Sequence, residues 1–214
     1  MRLLSPLLLT LLFPIASFAS AFFVTDIDGM PLEGVVVFVS SADNAQPTSR
    51  SNKSIDIHQT DKKFSPYISV VRQSQSVRFI NDDNITHHIY AAKGPERFSF
   101  KLHSKAAPKE LPFSKLGDVA MGCNIHDWMG GHILVVPTDN YGFTNKKGQL
   151  TMKRLPDGPI TVTVWHPQLG INANRQEWQL SGNTSDTIQL QVQGKLGAIP
   201  DQEAPDDIDY FSVY

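Results

Sequence analysis

An all-β fold is what this sequence predicts, from three observations. Nearly every apolar run is short, rich in Val, Ile, Thr or Phe, and fenced by Gly, Pro, Asn or Asp. No segment sustains a 3.6-residue amphipathic period. The 214 residues are 41% hydrophobic and 9% aromatic, enough apolar material for a packed core and against widespread disorder. In chain order, strand 22–26 runs into the Asp28-Gly29 turn, and 35–40 starts behind Gly34. Strands 54–58 and 68–71 lie on either side of a polar turn and Phe64-Ser65-Pro66, and 76–81 ends in Asn81-Asp82. Strand 88–91 stops before Lys93-Gly94-Pro95, 119–123 follows Gly117, and 131–136 closes at Pro137. Strand 149–153 follows Gly148, and 160–165 lies between Gly158-Pro159 and Pro167. Strands 177–180 and 187–192 stop before Gly182 and Gly194. The Lys/Pro/Ser-rich stretch 99–117 reads as irregular, with room for a short helical turn.

Charge and cysteine content narrow the function classes. Lys and Arg number 19 against 21 Asp and Glu, net charge is −2, and no basic run exceeds a pair. A nucleic-acid binder that depends on neutralising phosphates is therefore not expected. A single cysteine, Cys123, excludes an internal disulfide. At the N-terminus, Met1-Arg2 leads into an apolar stretch over 3–18 and a small-residue segment over 16–21, the pattern of a secretory signal peptide (1–21) cut near Ala19 or Ala21. A membrane anchor is the alternative, but Pro6 and Pro14 interrupt the stretch and it is shorter than the ~20 apolar residues a span needs. The mature chain is expected in the periplasm and not spanning a membrane. A lone thiol in that oxidising compartment invites attention, because it oxidises unless buried or coordinated.

The two ends of the chain share a style. Asp26-Ile-Asp28-Gly29-Met-Pro31-Leu32-Glu-Gly34 precedes one strand, and Thr144, Gly148 and Leu155-Pro156-Asp157-Gly158 precede another. Together these resemble the carboxypeptidase-regulatory-like, transthyretin-like β-sandwich. Exposed loop tips tolerate insertions, so the expected organisation is a discontinuous sandwich over 22–53 and 138–195, with a second domain over 54–137 inserted in it. Two sequential or merged β-domains are the alternative. Residues 196–214, acidic around Pro200 and Pro205, are expected to form a mobile tail.

The central segment carries Cys123-Asn-Ile-His126-Asp-Trp-Met129, three soft or borderline ligands on one short loop. Thiolate, imidazole and thioether suit copper, and a His₂Cys set with a weak axial Met is the blue-copper arrangement. His87-His88 supplies the second imidazole. Successive residues of an extended segment point to opposite faces, so only one of the pair can readily face Cys123.

With Phe64-Ser65-Pro66, 68–71, Val77-Arg-Phe-Ile-Asn81-Asp82 and Cys123 to Met129 in this order, the stretch 58–136 resembles the cupredoxins, Greek-key β-sandwiches that hold one type 1 copper. The two-residue gaps on both sides of His126 are similar to the short amicyanin-type ligand loop. The resemblance implies metal ligands His87, Cys123, His126 and Met129, with His88 and Asn81 in supporting positions around them. His88 stands where the family commonly has an Asn tying the ligand loops together, and Asp127 stands where a Pro is frequent. Exported proteins joining such domains often carry a methylamine-utilisation label, which presumes a substrate that this sequence does not reveal.

The remaining candidates read as structural: His58, His103, His132 and His166 as surface or packing residues, Met121 as core. Ile85, Ile125 and Trp128 would form an apolar docking face around His126. The implied function is an electron carrier cycling one copper ion between Cu(I) and Cu(II) and serving a redox protein partner, a cytochrome or a dehydrogenase. The alternative is a copper carrier or resistance protein without rapid redox cycling. An enzyme with Cys123 as nucleophile and His126 as base is disfavoured, since no third orienting group is evident and Met129 would have no task.

Overall fold

In the computed structural model, residues 20–41, 53–152, 155–170, 174–182 and 187–203 are described; the apolar N-terminal stretch 1–19 and the end of the acidic tail, 204–214, lie outside them. These residues form β1 (Ser20–Thr25), β2 (Val36–Ser41), β3 (Ile55–Thr60), β4 (Lys63–Ser65), β5 (Ile68–Arg72), β6 (Gln75–Asn81), β7 (His87–Ala91) and β8 (Phe98–Leu102). They continue with β9 (Lys109–Phe113), β10 (Gly117–Cys123), β11 (His126–Val136), β12 (Tyr141–Phe143), β13 (Gln149–Met152), β14 (Pro159–Trp165), β15 (Arg175–Ser181) and β16 (Ile188–Gln191). The fold is all-β, with no helix among the described residues.

Four sheets stack around three apolar cores. The strand orders are β13-β1-β16, β12-β2-β14-β15, β5-β11-β10-β7-β8 and β4-β3-β6-β9. The period-2 alternation of a strand explains the layering. Along β2, Val37 and Val39 face a core with Phe22, Val24, Val162 and Val164, while Val36 and Phe38 face another with Ile68, Val70 and Trp165. Along β11, Leu134 and Val136 join that second group, and Ile133 and Val135 turn to a third core with Phe79, Ile89 and Cys123. The two inner sheets are thus covered on both faces, which is why their strands read as near-continuous apolar runs. Strands β1 and β2 pair with β13, β16, β12 and β14, whereas β3 to β11 pair with one another. Thr144 ties the distant halves of the first group: its hydroxyl donates to the Leu32 carbonyl at 2.6 Å and accepts from the Val35 amide at 3.1 Å.

The structure departs from the sequence reading in three places. The stretch 99–117 is not irregular and has no helical turn; it holds most of β8, all of β9 and the start of β10. Pro112 is tolerated in β9 because that strand is a sheet edge, bonded only to β6. The strand expected at 131–136 begins at His126, since its hairpin with β10 closes directly behind Cys123. Contacts to the sandwich run past the expected boundary at 195: Leu196 bridges Leu169, and the Gly197 amide donates to the Gln168 carbonyl at 2.9 Å.

Beside the second core, which strands of both groups share, lies His166, only 3% exposed and in ring contact with Trp165. Burial, helped by the field of His132, pushes its pKa down to about 4. The Gln168 amide donates to its Nδ1 at 3.1 Å, which the neutral ring accepts. Because the folded pKa lies below the unfolded ~6.5, the unfolded chain binds the extra proton, and stability present above pH ~6.5 drains away as pH falls toward ~4. The loss expected from this group is about 3 kcal/mol. Urea titrations of the metal-free protein at pH 7 and pH 4.5 check it: His166→Gln should flatten the pH dependence, and an equally steep variant would exclude His166 as its source.

Candidate metal centre

Cys123 and His126 are brought together by the tightest of connections. The hairpin between β10 and β11 turns through Asn124-Ile125, so Cys123 and His126 pair directly across the ladder. Paired residues share a face, and the C-x-x-H spacing is therefore the turn itself. One step back, Gly122 pairs with Gly130, so 127–129 bulge out of the ladder. The bulge breaks the alternation, leaving Asp127 exposed, Trp128 half-buried and Met129 in the core with Cys123.

Strand β7 supplies the third donor. Ile89 pairs with Cys123, and on the same face of β7 His87 is fully buried while His88 points outward. His87 Nδ1 lies 3.7 Å and His126 Nδ1 3.5 Å from Cys123 Sγ, and the three donor atoms all fall within 4.8 Å of one another. His126, at 9% exposed, is the donor nearest solvent. Burial first, then the positive fields of His87 and Lys62, push its pKa down against the opposing field of Asp83, which favours the neutral ring that binds a metal.

A residue absent from the sequence-based candidates orients His87. Asp83 Oδ2 lies 2.8 Å from His87 Nε2, fixing the proton on Nε2 and leaving Nδ1 to face the thiol. Burial raises the Asp83 pKa, but hydrogen bonds from the Lys62 amide, His87 and the Asp61 amide outweigh it and hold the carboxyl below its ordinary range. Asn81 acts one step further out: its Oδ1 accepts from the Asp83 amide, and its Nδ2 donates to the carbonyls of Ile85 and Leu102, fixing the loop that carries Asp83. The His88 ring contributes nothing to the donors. Its Nε2 meets Ser99 Oγ at 2.8 Å, and it is the His88 carbonyl, accepting from the Asn124 amide, that ties the two ligand loops. The only hint of Asp83 in the sequence is its place four residues before His87, across a loop whose path no periodicity reveals.

The other candidates fall where their environment sends them. Ile125 is 55% exposed, Ile85 and Trp128 are half-buried, and the Trp128 ring lies 5.3 Å from that of His126. His58 pairs with Asp82, His103 with Thr86 and His132 with Asp118. Met121 is buried in the third core.

The donors fit a copper ion. Bonds of about 2.0 Å to nitrogen and 2.3 Å to sulfur, splayed trigonally, place donor atoms about 3.7 Å apart, close to the separations here. Two imidazoles, one thiol and a buried thioether are also the soft set that copper takes. Removing a ligand's hydrogen-bonded partner typically costs 10–100-fold in metal affinity. Asp83→Ala is accordingly expected to weaken copper binding by about 10–100-fold in a competition titration, and an affinity within twofold of wild type would show that Asp83 does not orient His87.

No family model and no curated protein matches the chain. Among solved structures, it is similar to amicyanin from Paracoccus versutus, 17% identical over 47% of this chain and 97% of that one, with a TM-score of 0.36. It is similar to a purple cupredoxin from Nitrosopumilus maritimus, 20% identical over 39% of this chain and all of that one, with a TM-score of 0.35. A copper-containing nitrite reductase from Thermus scotoductus SA-01 is 22% identical over 53% of this chain but only 28% of its own, with a TM-score of 0.37.

Proposed function

We propose that this chain is a periplasmic type 1 copper protein that carries single electrons between redox partners and catalyses no substrate reaction. The observation that supports this most is the convergence of His87 Nδ1, His126 Nδ1 and Cys123 Sγ in a buried pocket whose core includes Met129. Copper bound there supplies the one-electron Cu(I)/Cu(II) couple; the chain binds, orients and shields it. Cys123 and Met129 come from a hairpin and its bulge, His87 from the neighbouring strand, and Asp83 holds the His87 ring. The surrounding apolar cluster excludes water, so a change of charge at the metal meets a preset environment.

His126 is the contact point for a partner. Ile85, Ile125 and Trp128 flank it with a small apolar face, suited to the transient encounters of redox proteins, which bury less than ~1,200 Å² in total. The partner is a cytochrome or a dehydrogenase. We also read strands β3 to β11 as a copper domain inserted into a sandwich built from the chain ends, and the N-terminal segment as a cleaved signal; β1 starts at Ser20, so a cut after Ala19 keeps that strand whole.

Titration with one equivalent of Cu(II), followed by voltammetry, tests the reading. An intense visible band and a reversible couple with fast self-exchange are expected. A colourless complex removes the type 1 reading, and loss of the metal on reduction favours the copper-carrier alternative.

A further inference from the structure

After β16 the chain does not stay with its own sandwich. Gly197 is still bonded to Gln168 there, but by Gln202 the chain has crossed to the metal centre. Gln202 Oε1 accepts from the Gly130 amide at 3.2 Å, and Glu203 pairs with Lys63 Nζ at 3.1 Å. Gly130 directly follows Met129 and is the point at which the 127–129 bulge rejoins the ladder. Its N–H is therefore the last backbone group that fixes where the Met129 segment re-enters the sheet.

The Gln202 carboxamide is aimed at this amide. Its Nε2 donates to the Pro200 carbonyl at 3.1 Å, so its oxygen is the atom turned toward Gly130. The Glu203 amide donates to Asp201 Oδ1 at 3.0 Å, closing the turn that presents the side chain. An exposed ion pair such as Lys63–Glu203 adds little; the bond to Gly130, at a half-buried site beside a bulge, is the one that bears on the centre.

We propose that Gln202 is a positioning residue for Met129: the C-terminal arm of the sandwich clamps the backbone behind the thioether and so tunes the copper site from the other half of the molecule. The inference rests on the copper reading above. The strength of an axial thioether adjusts both the potential and the electronic structure of a His₂Cys copper site, so a loosened Met129 has a spectroscopic signature that mere loss of stability lacks.

The test compares wild type, Gln202→Ala, Gln202→Glu and Glu203→Ala in the full chain. Loaded with copper, Gln202→Ala should keep its colour but change the intensity ratio of its sulfur-to-copper bands and shift its potential. Gln202→Glu, which retains an acceptor for Gly130, should return the band ratio toward wild type, and Glu203→Ala should leave it unchanged. In the metal-free protein, amide exchange at Gly130 should accelerate about five- to tenfold in Gln202→Ala, the factor that follows from losing one hydrogen bond. Wild-type band ratio, potential and exchange in Gln202→Ala would overturn the proposal. A wild-type protein that takes up no copper would overturn the function reading instead, and exchange at Gly130 would still decide whether the clamp exists.

Discussion

Replacing Cys123 by Ser is expected to abolish the visible colour of the copper-loaded protein completely. The colour requires a copper–thiolate bond, and the alcohol of Ser stays protonated near neutrality and is a poor ligand in either oxidation state. Cys123 Sγ lies within 3.7 Å of both histidine Nδ1 atoms and supplies the thiol of the site. His87→Ala should remove the coloured site as well, by deleting a fully buried donor. His88→Asn is the informative contrast. The His88 ring points to Ser99, and its link to the ligand loop runs through its backbone carbonyl, which the substitution keeps. Colour should therefore persist in His88→Asn. Absorption titrations of the three variants decide it: a coloured Cys123→Ser puts the site elsewhere, and a colourless His88→Asn beside a coloured His87→Ala reverses the assignment of the two rings.

The parts of this molecule legible in its sequence are those set by short-range geometry. The C-x-x-H spacing is a hairpin turn, and the choice between His87 and His88 follows from strand alternation. Met129 is singled out by its soft thioether on the same short loop and by the resemblance to a known ligand loop, but the three-residue bulge that returns it to the core is not legible in the spacing. Asp83, Gln202 and the neighbours of Gln59 are set by long-range contacts. Gln59 is fully buried beside Asn81 in the strand register, with no hydrogen-bond partner among the described residues for its carboxamide, a placement that no local pattern announces. Strands β8 and β9 escaped because each lies at a sheet edge, where Lys, Ser and Pro are tolerated and the apolar alternation is diluted. The shared core has a different origin. Its residues are visible as continuous apolar runs at 35–39 and 133–136, but a run buried on both faces does not say which sheet covers it.

That core is where the second large effect is expected. Trp165 ends β14, is 1% exposed, and packs with Val36 and Phe38 of its own sheet against Ile68, Val70, Leu134 and Val136 of the copper-binding half. Its ring also meets His132 edge-on at 6.1 Å. Trp165→Ala removes the largest side chain from a layer whose backbone is hydrogen-bonded on both sides, by β2 and by β15, so the surrounding strands cannot collapse into the space. Truncations of this kind cost about 3–5 kcal/mol. The ligands lie on the opposite face of the neighbouring sheet, within the third core, and the substitution leaves them untouched. Denaturant unfolding should therefore shift by roughly 3–5 kcal/mol, while copper affinity and the visible spectrum of the folded variant stay as in wild type. If the two halves unfold together in the wild type, the variant should separate them, with the sandwich melting first and the colour lost only in a later transition. A change below about 0.5 kcal/mol, the range of substitutions away from packed features, would mean that the second core, the one that holds Trp165, does not join the halves in solution.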